Sequence, residues 1–182
     1  MLRRARQGEG AARSQLYGAL APATFALVQR LAGARAAAED LFQETMLSMF
    51  VELDTFRGEA PLGAWVRRIA VTKCLMYLRS PWQRARLDWH GLAEDAAAAW
   101  LPLPVTEAPR AESFDIERAL ASLSPTARAV VWLYEVEGYT HEEIARSFGR
   151  SASFSKSQLA RAHRRLRDWF QLSTERQPCT PT

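Results

Sequence analysis

Six lysine and arginine side chains and no carboxylate fall between residues 150 and 167, a local charge density suited to the phosphates of a nucleic acid. Just ahead, Thr140-His141-Glu142-Glu143 has the spacing of a capping box. In that arrangement the Thr140 hydroxyl accepts from the Glu143 amide while the Glu143 carboxylate reaches back. Gly149 ends the short capped helix, and after a three-residue turn a longer basic helix is predicted over residues 153–170. Capped helix, glycine turn and basic helix make the pattern of a helix-turn-helix, whose second helix enters the major groove. Leu159, Ala162, Leu166 and Trp169 recur at helical steps and give that helix an inward face, leaving Lys156, Arg161, Arg164, Arg165 and Arg167 outside. Side chains near the start of such a helix reach base edges and later arginines meet phosphates. A charge run on its own reads more plainly as a solvated face. Here cap, turn and spacing agree, and DNA binding is expected.

Other chemistry finds little support. His90, His141 and His163 are scattered, and neither Cys74 nor Cys179 has zinc-ligand spacing. No glycine-rich phosphate loop or nucleophile elbow occurs. No metal, no cofactor and no catalysis are therefore expected. His141 reads as a second-turn polar residue of the capped helix, and His163 as a possible phosphate contact. Cys74 lies inside a helical pattern and Cys179 in a Pro/Thr-rich tail, so two reduced thiols are expected, with a redox role as the weaker alternative.

The elements that must position these residues are helical throughout. With 182 residues, 48% of them hydrophobic, the chain can bury one core or two small ones. A net charge of +4 permits a nucleic-acid partner without demanding one. No stretch is long and apolar enough to span a membrane. The arginine-rich N-terminus lacks a signal peptide's apolar run, so a soluble, cytoplasmic protein is expected. A first helix is predicted over residues 15–31, surviving Pro22 only with a kink or break. A second, over residues 36–53, sets Phe42, Met46, Met49, Phe50 and Leu53 on one face and Asp40, Gln43, Glu44 and Ser48 on the other. A loop over residues 54–60 follows, and Pro61 suits the first turn of a third helix ending at Arg79.

Acidic residues outnumber basic ones six to one over residues 88–115, among Pro102, Pro104 and Pro109, which reads as a linker. A short helix over residues 92–100 within it is weakly indicated. Further helices are predicted over residues 115–123, from Ser124-Pro125 (cap and first residue) to near Gly138, and then through the helix-turn-helix. The fold class is all-α: a first helical domain over residues 1–82, a flexible acidic linker over 83–112, a helix-turn-helix domain over 113–172 and a polar tail over 173–182.

Residues 119–166 closely resemble the fourth conserved region of extracytoplasmic-function sigma factors, through Leu123-Ser124-Pro125, Glu137-Gly138-Tyr139-Thr140, Glu142-Glu143-Ile144-Ala145 and Lys156-Ser157. The front half is similar to the same family independently. Glu39-Asp40-Leu41-Phe42-Gln43-Glu44 resembles its polymerase-clamp-binding motif. Phe56-Arg57-Gly58-Glu59, with Trp65 and Arg68-Ile69-Ala70, resembles its promoter-melting loop and following helix.

The resemblance implies a subunit that docks on core RNA polymerase through Asp40, Leu41, Gln43 and Glu44, with a solvated polar face as the alternative. It implies minus-ten contacts from Phe56, Arg57, Trp65, Arg68, Thr72 and Arg79, with a core role as the alternative for Phe56 and as an equal one for Trp65. It implies minus-thirty-five contacts from Ser153, Phe154, Lys156, Ser157, Gln158 and Arg161, while Arg164 and Arg165 are phosphate contacts on physical grounds. Promoter DNA, core polymerase and an anti-sigma protein are the implied partners, and an acidic linker near the polymerase active centre is a further implication. Departures are equally specific. Thr72 stands where the family usually has Asn, and Met76 where it often has Asp. Ser153-Phe154-Ser155 replaces a common Gly-Thr-Val, and Gln158 a common Arg. Phe154 either reaches a thymine methyl or packs on Phe148, with packing favoured. The rival reading is a stand-alone helix-turn-helix regulator that never docks on polymerase.

Overall fold

The computed structural model describes residues 1–80 and 111–175, and every regular element among them is helical. The chain divides into two compact units, Met1–Leu87 and Asp88–Thr182.

In the first unit, α1 (Leu2–Arg6) leads to α2 (Gly10–Ala32), α3 (Arg35–Val51), a 3-10 turn (Leu53–Thr55) and α4 (Leu62–Arg79). Helices α2, α3 and α4 all pack on one another, and α1 lies on α2. Val28, Leu31, Met49, Val66, Ala70 and Cys74 are fully buried at the centre, each large one adding about 1.5–3 kcal/mol of transfer free energy. Thr45 is tolerated there because its hydroxyl donates to the Leu41 carbonyl at 2.7 Å.

Several boundaries differ from the periodic reading. Helix α2 starts at Gly10 rather than near residue 15, and α1 had no sequence signal, being too short to form alone. It exists because Ala5 joins Ala12, Leu16 and Leu53 in a buried cluster. Pro22 does not break α2. The carbonyl it orphans is that of Gly18, and both residues are exposed, so water can satisfy it. Leu53 is buried as expected of the inward face, but from the 3-10 turn, since α3 ends at Val51. Pro61 caps α4 rather than entering it. Burial pushes the Cys74 thiol up to about 12, which removes the thiolate that redox chemistry needs.

The second unit contains α5 (Ala111–Ala121), α6 (Pro125–Glu135), α7 (His141–Phe148) and α8 (Ala152–Glu175). Leu133 and Ile144 are fully buried, with Ala129, Val130, Leu159 and Ala162 around them, as α8 packs against α5, α6 and α7. The Ser124 side chain accepts from the Ala127 amide at 3.3 Å and Pro125 opens α6, the expected cap. Residues 83–110 of the expected linker lie outside the described residues, and with them the short helix over 92–100, Asp88, Glu94, Asp95 and His90; so does Cys179. Residues 111 and 112 begin α5, and residues 173–175 extend α8 beyond its predicted end. Among the described residues no helix is long and apolar enough to cross a membrane.

Candidate functional site

The helix-turn-helix is built by three local devices. The capping box is complete: the Glu143 amide donates to Thr140 Oγ1 at 3.2 Å, and the Thr140 amide donates to Glu143 Oε2 at 2.9 Å. Gly149 is left-handed at φ 62. The Arg150 amide then reaches the Ala145 carbonyl at 2.8 Å and the Gly149 amide the Arg146 carbonyl at 3.1 Å, a Schellman closure in which a Cβ would be strained. The Thr140 amide and hydroxyl, both donating to the Glu143 carboxylate, hold its pKa below the usual range. A depressed carboxylate contributes stability above its ordinary pKa and loses it as pH falls through the folded value. The helix-turn-helix should therefore loosen on acidification below pH ~4.5. Thr140→Ala should cost about 1 kcal/mol by thermal or urea melting at neutral pH; an unchanged midpoint would mean the cap is dispensable.

The third device was not legible in the sequence. His141 is the first residue of α7 rather than a second-turn residue, because Thr140 is the cap. Its ring stacks on Tyr134 at 4.5 Å and 17°, and Nδ1 lies 3.0 Å from the hydroxyl of Ser155, which is fully buried. Ser155 stands where the resembled family commonly has Val, and its polar partner is this histidine. The ring stack and this contact together join α6, α7 and the entrance of α8.

Along α8, Ser153, Lys156, Ser157, Arg161, Arg164 and Arg165 are exposed and Gln158 is half-buried. Leu159 and Ala162 are buried, while Leu166 and Trp169 are half-buried, so the expected inward face is present and the cations lie outside it. Phe154 is half-buried with its ring 5.8 Å from Phe148, the packing alternative. His163 Nε2 sits 3.1 Å from the Glu135 carboxylate, a contact between α8 and α6.

In the first unit, Asp40, Gln43 and Glu44 are exposed on α3, whereas Leu41 is only 7% exposed and anchors the helix from beneath. Glu44 is 3.6 Å from Lys73 of α4. Leu47 and Val51, 66% and 80% exposed, continue the same stripe at steps of three and four. Periodicity from Asp40 through Glu44 would have found them.

The loop between the 3-10 turn and α4 presents Arg57 and Glu59 to solvent around Gly58, whose φ of 78 favours glycine. Phe56 is 9% exposed and tilts against Trp65 at 5.2 Å, while half-buried Trp65 packs on both apolar clusters of the unit. Both rings thus belong to the wall beneath the loop. Arg68, Thr72, Met76 and Arg79 form one exposed edge of α4, where Thr72 Oγ1 donates to the Arg68 carbonyl at 2.8 Å.

Two family models match in this order, sigma-70 region 2 over residues 16–84 and sigma-70 region 4 over residues 113–166. The chain is 32% identical over 149 residues to the ECF RNA polymerase sigma factor SigE of Mycolicibacterium smegmatis, covering 80% of this chain and 56% of that one. It is 35% identical over 158 residues to SigG of Mycobacterium tuberculosis, covering 75% and 43%. CarQ of Myxococcus xanthus is 28% identical over 171 residues, covering 92% and 94%. The chain thus spans about half the length of SigE and SigG. A solved structure, the sigma factor RpoE with the anti-sigma factor NepR from Bartonella quintana, shares the fold at a TM-score of 0.56 and 23% identity, covering 87% of this chain and 96% of that one. A helical unit matching region 2 followed by a helix-turn-helix matching region 4 defines a protein of the sigma-70 class. Within that class, this chain belongs to the extracytoplasmic-function subfamily of RNA polymerase sigma factors.

Proposed function

We propose that this protein binds core RNA polymerase and directs promoter-specific transcription initiation, as a non-enzymatic initiation factor acting in the cytoplasm under an anti-sigma partner. The observation that carries this reading is the pairing, in one chain, of a polar α3 face and the exposed Arg57–Glu59 loop with a helix-turn-helix whose second helix is cationic. A stand-alone regulator needs only the second of these.

The domains divide the work. Residues 1–82 dock and open, 83–112 link, 113–172 read the minus-thirty-five duplex, and 173–182 form a tail. Asp40, Gln43 and Glu44, seated by Leu41, meet a basic helix of the polymerase clamp. Arg57 from the loop, and Arg68, Thr72 and Arg79 from α4, follow the minus-ten strand. Phe56 and Trp65 form the floor against which a displaced base stacks. On α8, Ser153, Lys156, Ser157, Gln158 and Arg161 face base edges or nearby phosphates, Phe154 shapes the entrance, and Arg164 and Arg165 grip the backbone.

Reconstitution tests the whole: core polymerase with a promoter library randomised in both elements. The expected result is protein-dependent transcripts enriched for a pair of spaced motifs. Tight palindromic duplex binding by the protein alone, with no transcript when core is added, would favour the stand-alone regulator.

A further inference from the structure

The promoter-facing loop is held from a part of the chain that lies ahead of the residues matched to sigma-70 region 2. Arg6, the last residue of α1, donates from Nε to the Leu53 carbonyl at 3.1 Å and from its guanidinium Nη2 to the Phe56 carbonyl. These carbonyls bracket the 3-10 turn, and the second immediately precedes Arg57 and Gly58. The Leu53 carbonyl also accepts from the Phe56 amide at 3.4 Å, and a planar guanidinium reaches both carbonyls from two nitrogens in a fixed fork, whereas an ammonium donates from a single nitrogen. The fork is itself held. Leu2 packs on the cluster of Ala5, Ala12, Leu16 and Leu53, together with Leu62 and Trp65, and Arg13 Nε donates to the Ala5 carbonyl at 3.0 Å. Arg6 is half-buried, and both of its bonds are partly buried.

We propose that Arg6 is a positioning residue for promoter opening: it clamps the Leu53–Phe56 turn and so fixes how Arg57, Gly58 and Glu59 meet the displaced strand. This rests on the reading of that loop as the minus-ten melting element. Arg6 touches no base in this account; it acts through the loop backbone.

The test uses holoenzyme made with the full chain and a promoter selected from a randomised library by the wild-type holoenzyme, prepared as duplex and as the same sequence pre-melted across the minus-ten region. Permanganate reactivity of the minus-ten thymines follows opening. Arg6→Lys, which keeps the charge and loses the fork, should slow opening of the duplex about tenfold. It should bind core polymerase as wild type does and act as wild type on the pre-melted template. Amide exchange at Thr55 and Phe56, whose amides bond back to the Glu52 and Leu53 carbonyls, should rise in the same variant, a change that general destabilisation would spread across α2 and α4. Wild-type opening by Arg6→Lys, or an equal loss on both templates, overturns the proposal. Arg57→Ala separates the two levels. If it slows duplex opening and Arg6→Lys does not, Arg6 is no positioning residue while the loop reading stands. If Arg57→Ala also opens the duplex normally, the loop reading falls and Arg6 with it.

Discussion

Replacing Asp40 and Glu44 together with alanine should weaken binding to core RNA polymerase by about tenfold or more, roughly 1.4 kcal/mol. The two carboxylates are four residues apart on α3 and both exposed, so they face a partner from one side. Glu44 also approaches Lys73 at 3.6 Å, but its side chain is 61% exposed. Exposed ion pairs contribute little, so turning Glu44 toward a basic partner helix sacrifices little of the folded state. Carboxylates at the rim of an interface act largely on the association rate, so the wild-type advantage should shrink as salt is raised. Leu47→Ala adds a second arm. An apolar side chain at 66% exposure next to those carboxylates should become buried on docking, and its loss should appear in the dissociation rate. Titration of labelled core with each variant, alongside melting curves, checks all three. Unchanged affinity in the double variant would remove α3 from the docking surface.

The second large effect concerns α8. Lys156→Ala with Arg161→Ala should abolish the preference of the holoenzyme for its minus-thirty-five motif, each good base contact being worth about 1–3 kcal/mol of discrimination. Arg164→Ala with Arg165→Ala should behave differently. Both residues lie further along the helix and are exposed, where phosphates are the available partners, so binding should weaken on every sequence alike. The slope of log affinity against log salt should fall by about two. Measuring affinity on matched and scrambled duplexes across a salt series separates the pairs. A sequence-independent loss from the Lys156/Arg161 pair would move base reading elsewhere.

The parts of the molecule written in local chemistry were legible beforehand. Ser124-Pro125, the Thr140/Glu143 box and the Gly149 stop depend on hydrogen bonds between residues within five positions of each other, so spacing alone specifies them. The apolar spacing of Leu159 and Ala162 likewise set which side of α8 is buried and left the cations outside. Spacing says less where stability is not local. Helix α1 has too few residues to nucleate, and the exposed side of α2 forgives Pro22.

The helical class, the helix-turn-helix and the polar face of α3 each follow from a period or a cap carried by consecutive residues. Tertiary structure alone decided which side chains stand open. It buried Leu41 beneath the polar face of α3, laid Phe56 on Trp65, drew His163 to Glu135, joined His141 to Ser155 and carried Arg6 to carbonyls at residues 53 and 56. The physical reason is common to all five. Each contact depends on where a second element lies in space, and packing of a shared core, not the spacing of neighbours along the chain, sets that position.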